Sequence, residues 1–178
     1  MRSRRVSDRQ PEDSRVAALR AAFDEAFRDP PRDVAADAVD LLAVTIGGRP
    51  HLLAMTDLVA MHRQLAVTPV PTMTPAFMGL AQIDARLVPV YDLRVLLGHP
   101  ADGAAGCFVL AARESIAMAL DGCDRHVRVP RATMPGPATS APDSSSPTVM
   151  VDVGDTLLPL VSLPAVIDAI RVHASAEA

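Results

Sequence analysis

The residues able to do chemistry are few, and their spacing builds no reactive centre. The five histidines, His51, His62, His99, His126 and His173, never fall four apart. None sits in an HExxH or a CxxC–HxxxH frame, so no metal site is read from them. Asp84 and Asp92 could be imagined as a carboxylate pair for acid–base work. Asp92, however, stands where a helix cap is expected, and Asp84 stands at a turn. All 17 basic residues are Arg, which leaves no lysine base, and there is no Gly-rich phosphate loop or Ser nucleophile elbow. Cys107 and Cys123 lack CxxC spacing and are expected as buried, reduced thiols. The reading from these residues is therefore no catalytic residue, no metal and no cofactor.

Charge and composition narrow the partners. The net charge of −4 gives no field across the chain that favours nucleic acid. Arg2, Arg4, Arg5 and Arg9 make a short basic tail, but no apolar run follows them as a signal peptide would require. No stretch approaches the ~18 apolar residues of a membrane span, so direct membrane insertion is not expected. A cytoplasmic protein is the expectation. Four Phe, one Tyr and no Trp leave the core to Val, Leu, Ile, Ala and Met. Met55, Met61, Met73 and Met78 crowd the first half, either filling that core or lining an adaptable partner groove.

Two segments divide the chain. Residues 1–36 read as an N-terminal extension, a disordered tail followed by an amphipathic helix over 14–29. Val16, Leu19, Phe23 and Phe27 fall on one stripe of that helix, and Pro30-Pro31 stop it. Its apolar face must dock somewhere, on the chain's own domain, on a partner or on a second copy. Residues 37–175 read as one domain of short strands, interrupted by a flexible Pro/Ser-rich loop at 130–147. Val39–Ile46 and Pro50–Met55 flank Gly47-Gly48 as a hairpin. Thr56–Met61 forms a helical turn or an extended edge. Strands follow at Phe77–Ile83, Arg86–Tyr91, Cys107–Ala111, Ser115–Leu120, Cys123–Val129, Thr148–Val153 and Thr156–Val161. Short helices are expected at Leu93–Leu97, closed by Gly98, and from Leu163 to about Val172.

One pattern occurs twice. Pro89-Val90-Tyr91-Asp92-Leu93-Arg94-Val95-Leu96-Leu97 matches Pro159-Leu160-Val161-Ser162-Leu163-Pro164-Ala165-Val166-Ile167 in pattern. Each is a strand that ends at a cap and turns straight into a helix. The echo implies two similar halves, or a chance likeness between two strand-to-helix corners.

The run Gly79-Leu80-Ala81-Gln82-Ile83-Asp84-Ala85-Arg86-Leu87-Val88-Pro89-Val90-Tyr91-Asp92-Leu93-Arg94 resembles the core of the CheW-type coupling proteins. That core usually reads G-x-(I/V)-N-L-R-G-x-(I/V)-x-P-(I/V)-x-D-L-R. The likeness extends over Leu41–Met61, Thr74–Phe77, Ser115–Asp121 and Leu157–Ile167, so it covers about residues 39–170. It implies a mostly β fold of two five-stranded SH3-like β-barrels around a shared core, with short helices. It also implies a non-catalytic adaptor joining the cytoplasmic tip of a chemoreceptor to the regulatory domain of a CheA-type histidine kinase. A divergent chemosensory system controlling pili or gene expression is the alternative output, and a small-molecule-binding β-domain is a further one. Leu58, Met61, Gly79, Ile83, Asp84 and Arg86 are the expected contact residues.

The chain also departs from the pattern. The usual Asn-Leu-Arg-Gly is Gln82-Ile83-Asp84-Ala85, which reverses one charge and removes a turn glycine, and a commonly acidic position is Ala60.

Overall fold

The computed structural model describes residues 37–134 and 147–176. The expected N-terminal helix, with Val16, Leu19, Phe23 and Phe27, lies outside the described residues, as does most of the Pro/Ser-rich loop. Among the described residues eleven strands form two sheets. The first sheet joins β1 (Ala38–Ile46), β2 (Arg49–Ala54), β9 (Gly122–Pro130), β10 (Thr148–Val153) and β11 (Thr156–Val161) in the order β10-β11-β2-β1-β9. The second joins β3 (Leu58–His62), β4 (Val67–Thr68), β5 (Phe77–Ile83), β6 (Arg86–Asp92), β7 (Cys107–Ala111) and β8 (Ala117–Leu120) in the order β3-β7-β8-β6-β5-β4. The second sheet thus has six strands, the sixth being only two residues long.

The repeated strand-to-helix corner has a topological counterpart. β6 runs parallel to β8, and β11 runs parallel to β2, while the other pairings are antiparallel. Matching β5, β6, β8, β7 and β3 to β10, β11, β2, β1 and β9 reproduces one spatial order in both sheets. Chain order differs only by a circular permutation: the first sheet opens with β1 and β2, whose counterparts β7 and β8 close the second. The helix Leu93–Leu96 follows β6, and the helix Leu163–Ala176 follows β11. Asp92 caps the first by accepting the Arg94 N–H at 3.0 Å, and Ser162 Oγ accepts the Ala165 N–H at 3.3 Å at the second.

The apolar strands are continuous because both of their faces are buried. Along β1, Leu41 and Ala43 point into one cluster with Leu52, Val127, Val129 and Val151, all of the first sheet. Leu42, Val44 and Ile46 point the other way. Along β8, Ala117 and Ala119 join Ile83, Val88, Val90 and Phe108 within the second sheet, whereas Met118 and Leu120 point out of it. The outward residues of both sheets meet Leu163, Val166, Ile167 and Ile170 of the C-terminal helix in one shared core. Alternation at the strand period sorts each residue to a private or a shared core.

The expectation of reduced cysteines is overturned. Cys107 of β7 and Cys123 of β9 form a disulfide, with their Cα atoms 6.0 Å apart. Sequence spacing could not show this, because the two meet only where the sheets adjoin.

Candidate docking surface

The chain passes from the second sheet to the first through one residue, Asp121, between Leu120 and Gly122. A buried ionic cluster holds this junction. Arg94, 2% exposed, donates from Nε and Nη2 to the two carboxylate oxygens of Asp92 at 2.9 and 2.7 Å. Its Nη1 donates to Asp121 Oδ1 at 2.9 Å. The other Asp121 oxygen accepts the Gly48 N–H at 2.9 Å, which ties in the tip of the β1–β2 hairpin. Burial pushes the Asp121 carboxyl upward, but the Gly48 N–H and the Arg94 guanidinium outweigh it and hold it below its ordinary value. Hydrogen bonding to Asp92 raises Arg94 further above its already high pKa. Asp92 is therefore both a helix cap and one half of a bidentate pair.

Against this frame, one end of the second sheet carries a cleft of about 480 Å³. Ile83, Val88 and Leu110 give it apolar walls, and Asp84, Arg86, Arg113 and Glu114 supply charges of both signs. Asp84 and Arg86 are there because the β5–β6 hairpin turns at Asp84-Ala85. Both turn residues have positive φ, 47° and 62°, as a type I′ turn requires. The tight turn therefore persists without its customary glycine. Across the cleft, Ala112 donates its N–H to the Asp57 carbonyl at 2.8 Å, joining the β7–β8 turn to the start of β3. Burial raises the Asp57 carboxyl above its usual range, with Arg113 partly offsetting the effect. Glu114 also pairs with Arg171 of the C-terminal helix at 3.0 Å.

Of the six residues singled out in the sequence, Ile83, Asp84 and Arg86 line this cleft. Met61 is 49% exposed on β3, and its β3 neighbour Val59, a cleft residue missed in the sequence, is 65% exposed. Leu58 packs against the shared core instead. Gly79 is buried within β5 at a φ of 135°, where an added Cβ would lie 2.1 Å from the Thr68 carbonyl oxygen. That glycine lets β4 approach β5. Arg113 and Glu114 also escaped the sequence reading. Arg113-Glu114-Ser115 between two apolar strands signals a polar turn, but nothing local says which surface that turn faces.

The two-sheet module thus carries a cleft in which apolar side chains stand among charges of both signs. The chain belongs to the CheW-like domain family, whose model matches residues 40–171. No curated protein matches it. Among solved structures, the scaffolding protein TtCheW from Thermoanaerobacter tengcongensis is similar, with a TM-score of 0.60 and 13% identity over 70% of this chain and 89% of that one. At that identity the likeness establishes the fold. Among the described residues no helix is long and apolar enough to cross a membrane.

Proposed function

We propose that this chain is a non-catalytic adaptor coupling chemoreceptors to a CheA-type histidine kinase, acting in the cytoplasm at receptor arrays. The supporting observation is the cleft beside the Asp84-Ala85 turn, where Ile83, Val88 and Leu110 stand among Asp84, Arg86, Arg113 and Glu114. A receptor tip or a kinase regulatory domain is a surface of the kind such a cleft accepts. Asp84 sets which partner fits, since it presents a negative charge where the resembling pattern has a positive one. Like charges brought together across an interface cost several kcal/mol, so a partner tuned to Arg would be refused.

The test is a pull-down against the CheA-type kinases and receptor cytoplasmic domains of the source organism, with Asp84→Arg alongside. Capture of a kinase or receptor, weakened tenfold or more by the variant, supports the reading. Absence of capture by both proteins counts against it. The proposal extends to the helix read from the sequence over 14–29, whose Val16, Leu19, Phe23 and Phe27 would dock on the chain's own domain, on a partner or on a second copy. Deleting residues 1–36 should then weaken partner capture or lower stability, and a deletion that changes neither removes that part of the proposal.

A further inference from the structure

Both cysteines of the chain are spent on one bond, and that bond lies at the junction of the sheets. Cys107 opens β7 in the second sheet, and Cys123 stands near the start of β9 in the first. The ring that the bond closes contains β7, β8 and Asp121, the single residue between the sheets. Its surroundings are packed closely. Gly106 donates its N–H to the Leu120 carbonyl at 3.0 Å, and a Cβ on Gly106 would lie 2.1 Å from the Asp121 carbonyl oxygen. The Asp121 N–H reaches the Thr45 carbonyl at 3.1 Å, and its carboxylate takes up Gly48 and Arg94. The covalent link and the ionic cluster thus converge on one crossing.

The two cysteines are not equally placed. Cys107 is 3% exposed within the shared core, whereas Cys123 is only partly buried. We propose that the Cys107–Cys123 pair is a redox-responsive staple across this crossing, opened by a dithiol and closed by an oxidised disulfide reagent. The proposal goes beyond the adaptor reading and does not depend on who the partners are. In opening, a thiolate of the dithiol attacks Sγ of Cys123, the S–S bond breaks, and Cys107 leaves as a thiolate that takes a proton. The second thiol of the reagent then attacks the mixed disulfide and releases Cys123. The protein gains two electrons and two protons, and the reagent becomes a disulfide. Closing is the reverse. In the open state the backbone bonds and the Arg94 cluster still hold the fold, while the crossing loses its covalent restraint.

Full-length protein would be equilibrated in mixtures of reduced and oxidised dithiothreitol, a dithiol and its disulfide, running from reduced to oxidised. Thiols would be counted by alkylation after denaturation, and melting and amide exchange followed on the same samples. The expected result is a reversible two-thiol transition within that range. The oxidised form should melt roughly 5–15 °C higher. Faster exchange on reduction should concentrate at residues 45–48 and 121–125. Cys107→Ala/Cys123→Ala should resemble the reduced form and ignore the buffer. Cys123→Ser should do the same, and it serves if the double variant fails to fold. Thiols that stay free in oxidised buffer would overturn the proposal. So would a bond that resists reduced buffer until the protein unfolds, or oxidised and reduced forms that melt and exchange alike.

Discussion

Arg94 shows how much can rest on one side chain. It pairs with the buried Asp92 and the part-exposed Asp121 and leaves neither carboxylate alone. Removing one member of a buried ionic cluster strands the others, so Arg94→Ala should cost about 3–5 kcal/mol in denaturant unfolding. Arg94→Lys should recover only part of this, because an ammonium cannot reproduce the two-pronged contact with Asp92. His51 sets a pH dependence. Burial lowers its pKa from 6.5, the Arg49 carbonyl opposes the shift, and the charges of His99 and Arg49 reinforce it. The unfolded chain then takes up the proton first. Stability should fall as pH drops below about 6.5 toward the folded pKa, and His51→Gln should flatten that slope in denaturation midpoints measured at pH 7.5 and 5.5. Ala85 pays for a left-handed φ of 62°, so Ala85→Gly should stabilise the protein by up to about 1 kcal/mol in the same assay.

At the scale of elements, strand positions were legible because apolar runs are punctuated by Gly-Gly, Asp-Ala and Gly-Asp turns. β10 and β11 occupy the spans read from the sequence, Thr148–Val153 and Thr156–Val161. The segment after β2 satisfies both sequence readings, as a 3₁₀ turn at Met55–Asp57 followed by the strand Leu58–His62. The tiny strand β4 was not legible, since two residues carry no periodicity. It exists because Gly79 leaves room for Thr68. Gly79→Ala combines a 2.1 Å clash with a φ of 135°, so it should detach β4 and cost more than about 2 kcal/mol. Faster amide exchange at Val67 and Thr68 would check the local part of that expectation.

Over the whole molecule, the shared core decides cooperativity. Met118 is fully buried there, among residues of both sheets and the C-terminal helix. Met118→Ala should cost about 2–5 kcal/mol and weaken amide protection in both sheets together, not in the second sheet alone. Separate transitions for the two sheets would contradict a common core. The circular relation between the sheets explains this mutual dependence. Each half borrows its order from one plan, but the first sheet is completed only when the chain returns through β9, β10 and β11.

The sequence by itself determined the longer strands, the two capped corners and the family likeness, and it singled out Ile83, Asp84 and Arg86 among the residues that line the cleft. These are local matters, fixed by side-chain alternation, turn chemistry and residues adjacent in the chain. Only the tertiary structure decided the rest. Cys107 met Cys123, Arg94 met Asp121, and Arg113 and Glu114 came to face Asp84 and Arg86. Such pairings depend on how two sheets pack across a shared core, and no period along the chain records a distance between strands that are remote in sequence.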